Sequence, residues 1–420
     1  MDVLCSDCKS KKVIENATSR AGAQRYLCQV SNCDKTFQLV HSYKLTLRSH
    51  TLTKAKKWIS FVCCFLRIKE MKVDLLDIYS DYLISQNHHA TATGLAALFD
   101  GDQVSRHLRS GEFGSKELWS HVKSDVRRYE QKSGGVLLLD DTISEKAYTD
   151  ENAVNCWHYS HAKHRHVKGM NIVSCLIRYN DIALPVGYET VKKEVVYSDI
   201  KTRKQKRKSL ISKNDMFRSL IQQAVNNHVL FDYVLADNWF GSKKNMKFIQ
   251  QDLKTHFIIG IKSNRCVALT KRDADSGHYQ QVNTLEWNHG DAITVYLKDI
   301  AFPAKLLKKI FTNEDGSTGT LYLITNDLSI DADRMYEVYQ KRWRIEEFHK
   351  SIKYNASLSK SPTKTIRTQC NHLFAAMVAF CKLELLKVKT TMNHFAIKQK
   401  LLLKANQIVF NELQLLKACA

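Results

Sequence analysis

Hydrophobic residues form short continuous runs in the middle of the chain. The run GGVLLLDDT at 134–142 stays apolar until two aspartates, and FDYVLADNWF at 231–240 also meets an acid where its apolar run ends. Runs of this length are typical of buried strands. The segment 167–189 predicts two further strands joined by a turn at 179–181, and a helix is predicted near 214–227. This part of the chain therefore predicts a sheet with interleaved helices.

The flanking segments complete a mixed α/β pattern. Residues 72–130 have the spacing of helices, and residues 255–325 return to strand-like runs. A long helix is predicted from about Ala332, and 365–420 is helical, with a buried apolar stretch near its start. We therefore expect an α/β fold with a β-rich region inserted before the last helices.

The charge balance points to a polyanionic partner. The chain has 420 residues, enough for two to four domains, with 64 Lys+Arg against 42 Asp+Glu and a net charge of +22. Such an excess favours DNA or RNA, because binding to phosphates releases counterions. The densest cluster, KTRKQKRK at 201–208, has six cations in eight positions. A generically basic protein is the alternative.

The N-terminal cysteines have the spacing of a metal site. Cys5 and Cys8 form one pair, and Cys28 and Cys33 form a looser second pair. Four thiolates suit a tetrahedral zinc ion, and two unrelated pairs of thiols are the alternative. The first ten residues contain no apolar run, and the apolar stretch at 58–66 is shorter than a membrane span. We therefore expect reduced thiols in the cytosol and no membrane segment.

Two segments before the sheet have less distinct patterns. Residues 46–70 show no clean hydrophobic period and are interpreted as a junction. Residues 92–111 have an apolar half, an Asp-Gly-Asp turn and a basic half, which fits a helix-turn-helix-like DNA-binding arrangement. Two packed helices with a basic surface are the alternative for this segment.

Acids follow two of the predicted strands. Asp140 and Asp141 come after one predicted strand and Asp237 after another. Ligand-binding sites in open sheets form at such strand ends. A carboxylate at the end of an apolar strand needs a partner or a cation. Each acid alone could instead cap a helix or close a turn.

The segment YQKRWRIEEFHKSIK at 339–353 adds a third acid. At about 100° per residue, four polar residues fall within a helical stripe about 60° wide: Tyr339, Arg342, Glu346 and Lys353. An apolar face lies beside the stripe. Arg342 and Glu346 could simply pair at i,i+4 on the surface. Alternatively, Glu346 joins Asp141 and Asp237 in holding two divalent cations, and oxygen ligands suit Mg²⁺ or Mn²⁺.

The same residues carry a family resemblance. The spacing Y-x2-R-x3-E-x6-K resembles the signature of bacterial cut-and-paste insertion-sequence transposases with a D-D-E triad, insertion-sequence family four. The contexts LDDT and ADNWF are similar to those of the first two acids in such families. The resemblance covers about 72–390, and the separation of 109 positions between Asp237 and Glu346 (346 − 237) suits the β-rich insertion of that family.

The resemblance implies a ribonuclease-H-like catalytic core and a set of residue roles. Asp141, which directly precedes a threonine, is implied as the first metal ligand, so Asp140 is expected to point away. Arg342 and Tyr339 are implied to grip a phosphate near a flipped base. Lys353 is implied to hold the strand end, and Trp343 or Trp287 to stack on that base.

The implied reaction is Mg²⁺- or Mn²⁺-dependent nicking of double-stranded DNA at terminal inverted repeats, hairpin formation and opening, and strand transfer into target DNA. It implies a homodimer on paired ends and a cytoplasmic, nucleoid-associated location. Alternatives are a non-catalytic DNA-binding relic or regulator, and a nuclease of the same fold that only hydrolyses.

The expected organisation has seven segments. They are a zinc-knuckle-like segment 1–45, a junction 46–70, a helical DNA-binding region 71–130, the first part of the core 131–254, an inserted β-rich region 255–330, the core helix with the third acid 331–365, and C-terminal helices 366–420. The stretch 21–39 resembles the zinc-finger start of a different class of insertion-sequence proteins. We therefore expect a chimera in which the second protein begins near Met71.

Overall fold

A computed structural model describes residues 13–18, 24–30, 33, 36–38, 74–99, 108–200, 202–312 and 314–418. The chain divides into two compact units, Met1–Val73 and Asp74–Ala420. The predicted junction at 46–70 lies outside the described residues.

The first unit contains a small antiparallel sheet. Its strands are β1 (Val13–Thr18), β2 (Gln24–Cys28) and β3 (Thr36–Gln38). Strand β2 lies between the other two, with Val13 opposite Cys28.

The second unit is built on one large mixed sheet. In chain order, the strands of this unit are β4 (Val136–Glu145), β5 (Asn155–Ser160), β6 (Arg165–Tyr179), β7 (Ile182–Thr190), β8 (Val195–Ser198), β9 (Gln205–Lys208), β10 (Tyr233–Ala236), β11 (His256–Gly260), β12 (Cys266–Ala268), β13 (Gln280–Gln281), β14 (Ala292–Leu297), β15 (Pro303–Thr312) and β16 (Thr318–Thr325). Strands β8 and β9 form a separate hairpin. The other eleven join in the order β13-β12-β14-β15-β16-β11-β10-β4-β6-β5, and β7 also pairs with β6.

Helices precede, interrupt and follow the sheet. They are α1 (Leu75–Ser85), α2 (Ala92–Phe99), α3 (Ser115–Tyr129), α4 (Lys213–Asn226), α5 (Lys243–Lys247), α6 (Lys271–Asp275), α7 (Ala332–Gln340), α8 (Trp343–Tyr354), α9 (Ile366–Thr390) and α10 (His394–Ala418). A short π-helix follows α5, and two 3₁₀ turns lie at Val282–Thr284 and Leu358–Lys360. No helix in the described part of the chain is long and apolar enough to cross a membrane.

The apolar runs of the sequence form the centre of the sheet. Val136–Leu139 of β4 is fully buried, with β10 parallel on one side and β6 antiparallel on the other. Phe348 of α8 packs edge to face on Phe380 of α9, with ring centroids 4.8 Å apart. The buried stretch of α9 thus supports the helix that carries the third acid, and the predicted α/β class with C-terminal helices is confirmed.

The predicted strand pair with its turn at 179–181 is present as β6 and β7. Strand β11 pairs in parallel with β10 and antiparallel to β16, so the β-rich region is continuous with the central sheet. The bounds 255–330 for an insertion stay a prediction.

Candidate active site

The parallel strands β4 and β10 bring two acids close together. Leu138 of β4 lies opposite Leu235 of β10. Asp140 lies two positions beyond Leu138, and Asp237 directly follows Ala236, the last residue of β10. Both acids are partly buried, and burial together with the charge of Asp237 raises the pKa of Asp140.

Asp141 points to the opposite face of β4. Its Oδ1 lies 2.7 Å from the Nζ of Lys213, at the start of α4. The alternation of Asp140 and Asp141 was expected, but the position of Asp140 beside Glu346 and His349 was not. Alternation places the two side chains on opposite faces of β4, and the packing of α8 decides which of them lies beside Glu346. The choice of Asp141 as first ligand stays a prediction.

The third acid comes from α8, and an arginine joins it to β4. Arg342 Nη1 lies 3.3 Å from Glu346 Oε1 and 3.5 Å from Asp140 Oδ2. The guanidinium also lies over the ring of Tyr339, 5.7 Å from its centroid. The i,i+4 pair expected as a surface alternative is therefore present, but it also reaches an acid of the sheet.

The predicted long helix is broken ahead of Glu346. Helix α7 ends at Gln340 and α8 begins at Trp343. In between, the Arg342 N–H donates to the Tyr339 carbonyl at 2.9 Å, which is a 3₁₀-type bond. The rotation of about 100° per residue assumed for the polar stripe therefore does not hold between α7 and α8. The tighter turn still brings Tyr339, Arg342 and Glu346 together.

Lys353 reaches β4 from the last turn of α8. Its Nζ donates to the Thr142 hydroxyl at 2.6 Å. Tyr339 is buried, and burial raises the pKa of its hydroxyl to about 12. Trp343 is 65% exposed at the start of α8. Trp287 is partly buried, and its Nε1 donates to the Asp291 carbonyl at 3.2 Å.

His349 is a site residue that the sequence reasoning missed. One oxygen each of Asp140 and Glu346 and a ring nitrogen of His349 lie within 4.8 Å of one another. His349 is buried, and its Nε2 has no hydrogen-bond partner among the described residues. The signal was available, because the i,i+3 spacing from Glu346 puts both side chains on one helical face.

The acids carry more negative charge than their surroundings balance. Burial raises the pKa of Asp140 well above its usual value, and the charges of Asp237, Glu346 and Asp141 raise it further. Burial also raises the pKa of Asp237. In contrast, the His349 ring and the Arg342 guanidinium lower the pKa of Glu346 to about 2.

The donor set fits a hard divalent cation. Carboxylate oxygens of Asp140 and Glu346 lie within 4.8 Å of each other, and the charge of Asp237 also acts on Asp140. Mg²⁺ or Mn²⁺ would offset the repulsion among these negative charges. One Asp237 oxygen also accepts from the N–H groups of Trp239 and Phe240, at 3.0 and 3.4 Å, which fixes the loop after β10.

That loop depends on a close backbone approach. A Cβ on Gly241 would lie 2.7 Å from the Gly260 carbonyl oxygen of β11. Only glycine allows the chain after Asp237 to pass so close to the neighbouring strand.

The remaining predicted sites fall partly outside the described residues. Cys28 is buried at the end of β2, and the Cys33 N–H donates to the Val30 carbonyl at 2.8 Å. Cys5 and Cys8 lie outside the described residues, so the four-cysteine site stays a prediction. The helix-turn-helix-like segment 92–111 is described as α2 and from 108 onward.

Comparison with protein families gives two matches. The family described as DDE superfamily endonuclease matches residues 61–283, which is 223 residues (283 − 61 + 1) and more than half of the chain. The family described as Transposase DDE domain matches residues 204–381. The first match contains Asp140, Asp141 and Asp237, and the second contains Glu346. Comparison with curated proteins finds no match.

Proposed function

The chain belongs to the DDE superfamily of endonucleases, and from this membership we propose that it is a DNA transposase that cuts and joins DNA at the ends of an insertion sequence. The supporting observation is that Asp140 of β4 and Glu346 and His349 of α8 lie within 4.8 Å of one another, with the charge of Asp237 acting on Asp140. Such a set suits phosphoryl transfer, where charge must be stabilised on the attacking and leaving oxygens.

We propose Asp140, Asp237 and Glu346 as the ligands of the metal, with Asp141 as the alternative first ligand. Bound Mg²⁺ or Mn²⁺ would polarise the phosphodiester and ease deprotonation of the attacking hydroxyl. Asp140 is favoured because it lies beside Glu346 and His349.

The cations around the acids would hold the DNA backbone. Arg342 already contacts Asp140 and Glu346. A phosphate group that replaced one of these carboxylates would accept two hydrogen bonds from the guanidinium. Lys353 would hold the strand end beside β4. Tyr339 would keep the Arg342 guanidinium in place from below, and the exposed ring of Trp343 would stack on a base near the cut.

The proposed reaction proceeds in ordered steps on double-stranded DNA. Water attacks the phosphodiester at the end of the element and releases a 3′-hydroxyl. That hydroxyl attacks the opposite strand to form a hairpin, which is opened by water. The 3′ ends then attack target DNA. Terminal inverted repeats would be bound through the helical region 71–130.

A basic hairpin adds a surface for DNA phosphates. Strands β8 and β9 pair with Val195 opposite Lys208, and most of their side chains are exposed. One acid of the hairpin is neutralised, since Asp199 lies 2.6 Å from the Nζ of Lys206. Arg207 is also paired, since its Nε lies 3.2 Å from Glu151 Oε1. Arg203, Lys204 and Lys208 would hold phosphates and would make binding sensitive to salt.

We also propose that two copies act on paired ends. Helix α10 exposes many large apolar side chains from Leu401 onward, and a partner copy would cover them. These residues, 45–71% exposed, are Leu401, Leu403, Ile408, Val409, Phe410, Leu413, Leu415 and Leu416. A nucleoid-associated location in the cytoplasm and a zinc ion at Cys5, Cys8, Cys28 and Cys33 remain part of the proposal.

The test is cleavage of linear DNA that carries the sequence flanking this gene, with Mg²⁺ or Mn²⁺. We expect the intact chain to give a nick and then a hairpin. Glu346→Gln should bind the DNA but lose at least about 10²-fold in cleavage rate, because a ligand of the reacting centre is removed. Exposed Glu347, which pairs with Arg344 on the same helix, is the matched control, and Glu347→Gln should cut normally.

If the intact chain and Glu346→Gln both bind and neither cuts, the chain is a DNA-binding regulator or relic. If cutting occurs without joining to target DNA, the chain is a nuclease. A Glu346→Gln variant that cuts at the normal rate would remove Glu346 from the proposed set.

A further inference from the structure

The hairpin of β5 and β6 exposes an aromatic pair that the proposed reaction does not use. Trp157 and Tyr159 are 52% and 46% exposed, although both lie within a strand. Buried residues of β5, including His158, alternate with these two aromatic residues. Large exposed aromatic side chains at alternate positions of one strand form a flat apolar strip.

The strip lies on the same face of the sheet as the acids. On β6, Ile172 is opposite Thr142, whereas Lys168 and His166 are opposite Trp157 and Tyr159. Positions 166, 168 and 172 differ by even numbers, so their side chains share one face. The face that presents Thr142 to Lys353 therefore continues across β6 to the two rings.

The surroundings of the strip are basic and hold one ring in place. The rings of His161 and His166 pack edge-on against Tyr159, with centroids 5.0 and 5.4 Å away. The segment 157–168 contains two lysines and one arginine and no acid. Lys193 Nζ donates to the Trp157 carbonyl at 2.6 Å, which ties the outer edge of β5.

We propose that Trp157, Tyr159, His166 and Lys168, here called the aromatic platform, stack on unpaired bases of the DNA during cutting. The proposal rests on the DNA function proposed above. At about 3.3 Å per residue, the platform lies about 13–20 Å along β6 from Thr142, which corresponds to about four to six base pairs of DNA. The two rings are about 6.6 Å apart along the strand, so they would meet alternate bases at a rise of about 3.4 Å.

Unpaired bases fit the platform better than a duplex does. A base exposes its face to a ring only when it leaves the stack, and such contacts are independent of sequence. The neighbouring cations would hold the phosphates of the same strand. A protein partner would instead be expected to bring acidic side chains to this surface, and a wild type that binds both DNAs of the test equally would favour it.

The test compares two labelled DNAs, a 20-base-pair duplex and the same duplex with four central mismatched bases, by fluorescence anisotropy with the full chain. We expect the wild type to prefer the mismatched DNA. Trp157→Leu and Tyr159→Leu should each weaken binding to mismatched DNA about tenfold and move the ratio of the two Kd values toward one. Trp157→Phe should restore most of the preference, because a ring remains.

The control is Phe311→Leu, which alters an exposed aromatic of β15, 47% exposed, and should keep the preference. As a second measurement, 2-aminopurine among the mismatched bases should be quenched by the wild type and less by Trp157→Leu. A wild type that binds both DNAs equally, or leucine variants that keep the preference, would overturn the platform while DNA cutting stands. A wild type that neither binds nor cuts any DNA would instead overturn the proposed function.

Discussion

The carboxylates around the candidate site differ in the cations that neutralise them. Asp141 has the ammonium group of Lys213 at 2.7 Å, whereas Asp140 shares Arg342 with Glu346. The raised pKa of Asp140 reflects burial and the neighbouring negative charges. At the residue scale, Asp140 is therefore the position at which an added cation relieves the most repulsion.

This difference predicts how Mg²⁺ affects thermal stability. A ligand that binds only the folded state raises the free energy of unfolding, so Mg²⁺ should raise the Tm of the wild type by about 2–5 °C. Asp140→Asn should lose most of that increase, and Asp141→Asn should keep it. Differential scanning fluorimetry with and without Mg²⁺ measures both. The reverse pattern would assign the first ligand to Asp141, as the family resemblance implies.

At the scale of elements, a buried histidine joins α1 to α9. The Tyr79 hydroxyl donates to His372 Nδ1 at 2.8 Å, and His372 Nε2 donates to the Ser357 carbonyl at 3.2 Å. Both ring nitrogens are thus used by the neutral imidazole. Burial lowers the pKa of His372 to about 3, so the imidazole stays neutral in the folded chain in mild acid.

The contact predicts a loss of stability in mild acid. The unfolded chain binds a proton at His372 below about pH 6.5, whereas the folded chain does not until about pH 3. The free energy of unfolding should therefore fall as pH drops across this window, by about 1 kcal/mol per pH unit from this residue. The free energy of unfolding, measured by urea denaturation between pH 7 and pH 5, should depend less steeply on pH in His372→Gln than in the wild type. Exposed His88→Gln is the control; an unchanged slope in His372→Gln would contradict the prediction.

The individual strands and helices show which features the sequence could predict and which it could not. Apolar runs identified β4 and β10, because burial on both faces demands continuous hydrophobic residues. The break between α7 and α8 was missed, because Lys341 and Arg342 are both good helix formers and nothing local marks a 3₁₀ link. The position of Asp140 beside Glu346 was missed because it depends on the packing of α8, which lies far from β4 in the sequence. His349 was within reach of the i,i+3 rule.

At the scale of the whole molecule, the boundary between the two compact units falls after Val73, close to the expected start at Met71. The acids, the aromatic platform and the exposed surface of α10 all belong to the second unit. DNA cutting should therefore not depend on the first unit. The charge excess of +22, in contrast, refers to the full chain.

This separation predicts the behaviour of a fragment. Residues 71–420 expressed alone should unfold with the same main transition as the full chain and should cut DNA at a similar rate. Bound zinc, measured by mass spectrometry, should be present in the full chain and absent from the fragment, because all four cysteines of the predicted site are removed. A fragment that fails to fold would show that the units depend on each other, and zinc that remains in the fragment would contradict the cysteine assignment.

Strand β6 separates the acids from the aromatic platform and would set the length of DNA between them in the proposed complex. Residues 169–178 pair with β4, and the other edge pairs with β5 at 165–170 and with β7 at 172–179. A one-residue change of register would turn every side chain to the opposite face, so the register of β5 on β6 can change only in steps of two residues. Each step is about 6.6 Å, or about two base pairs. A related protein that bound one base pair more between the two sites would therefore need different side chains, because a change of strand register cannot supply that length.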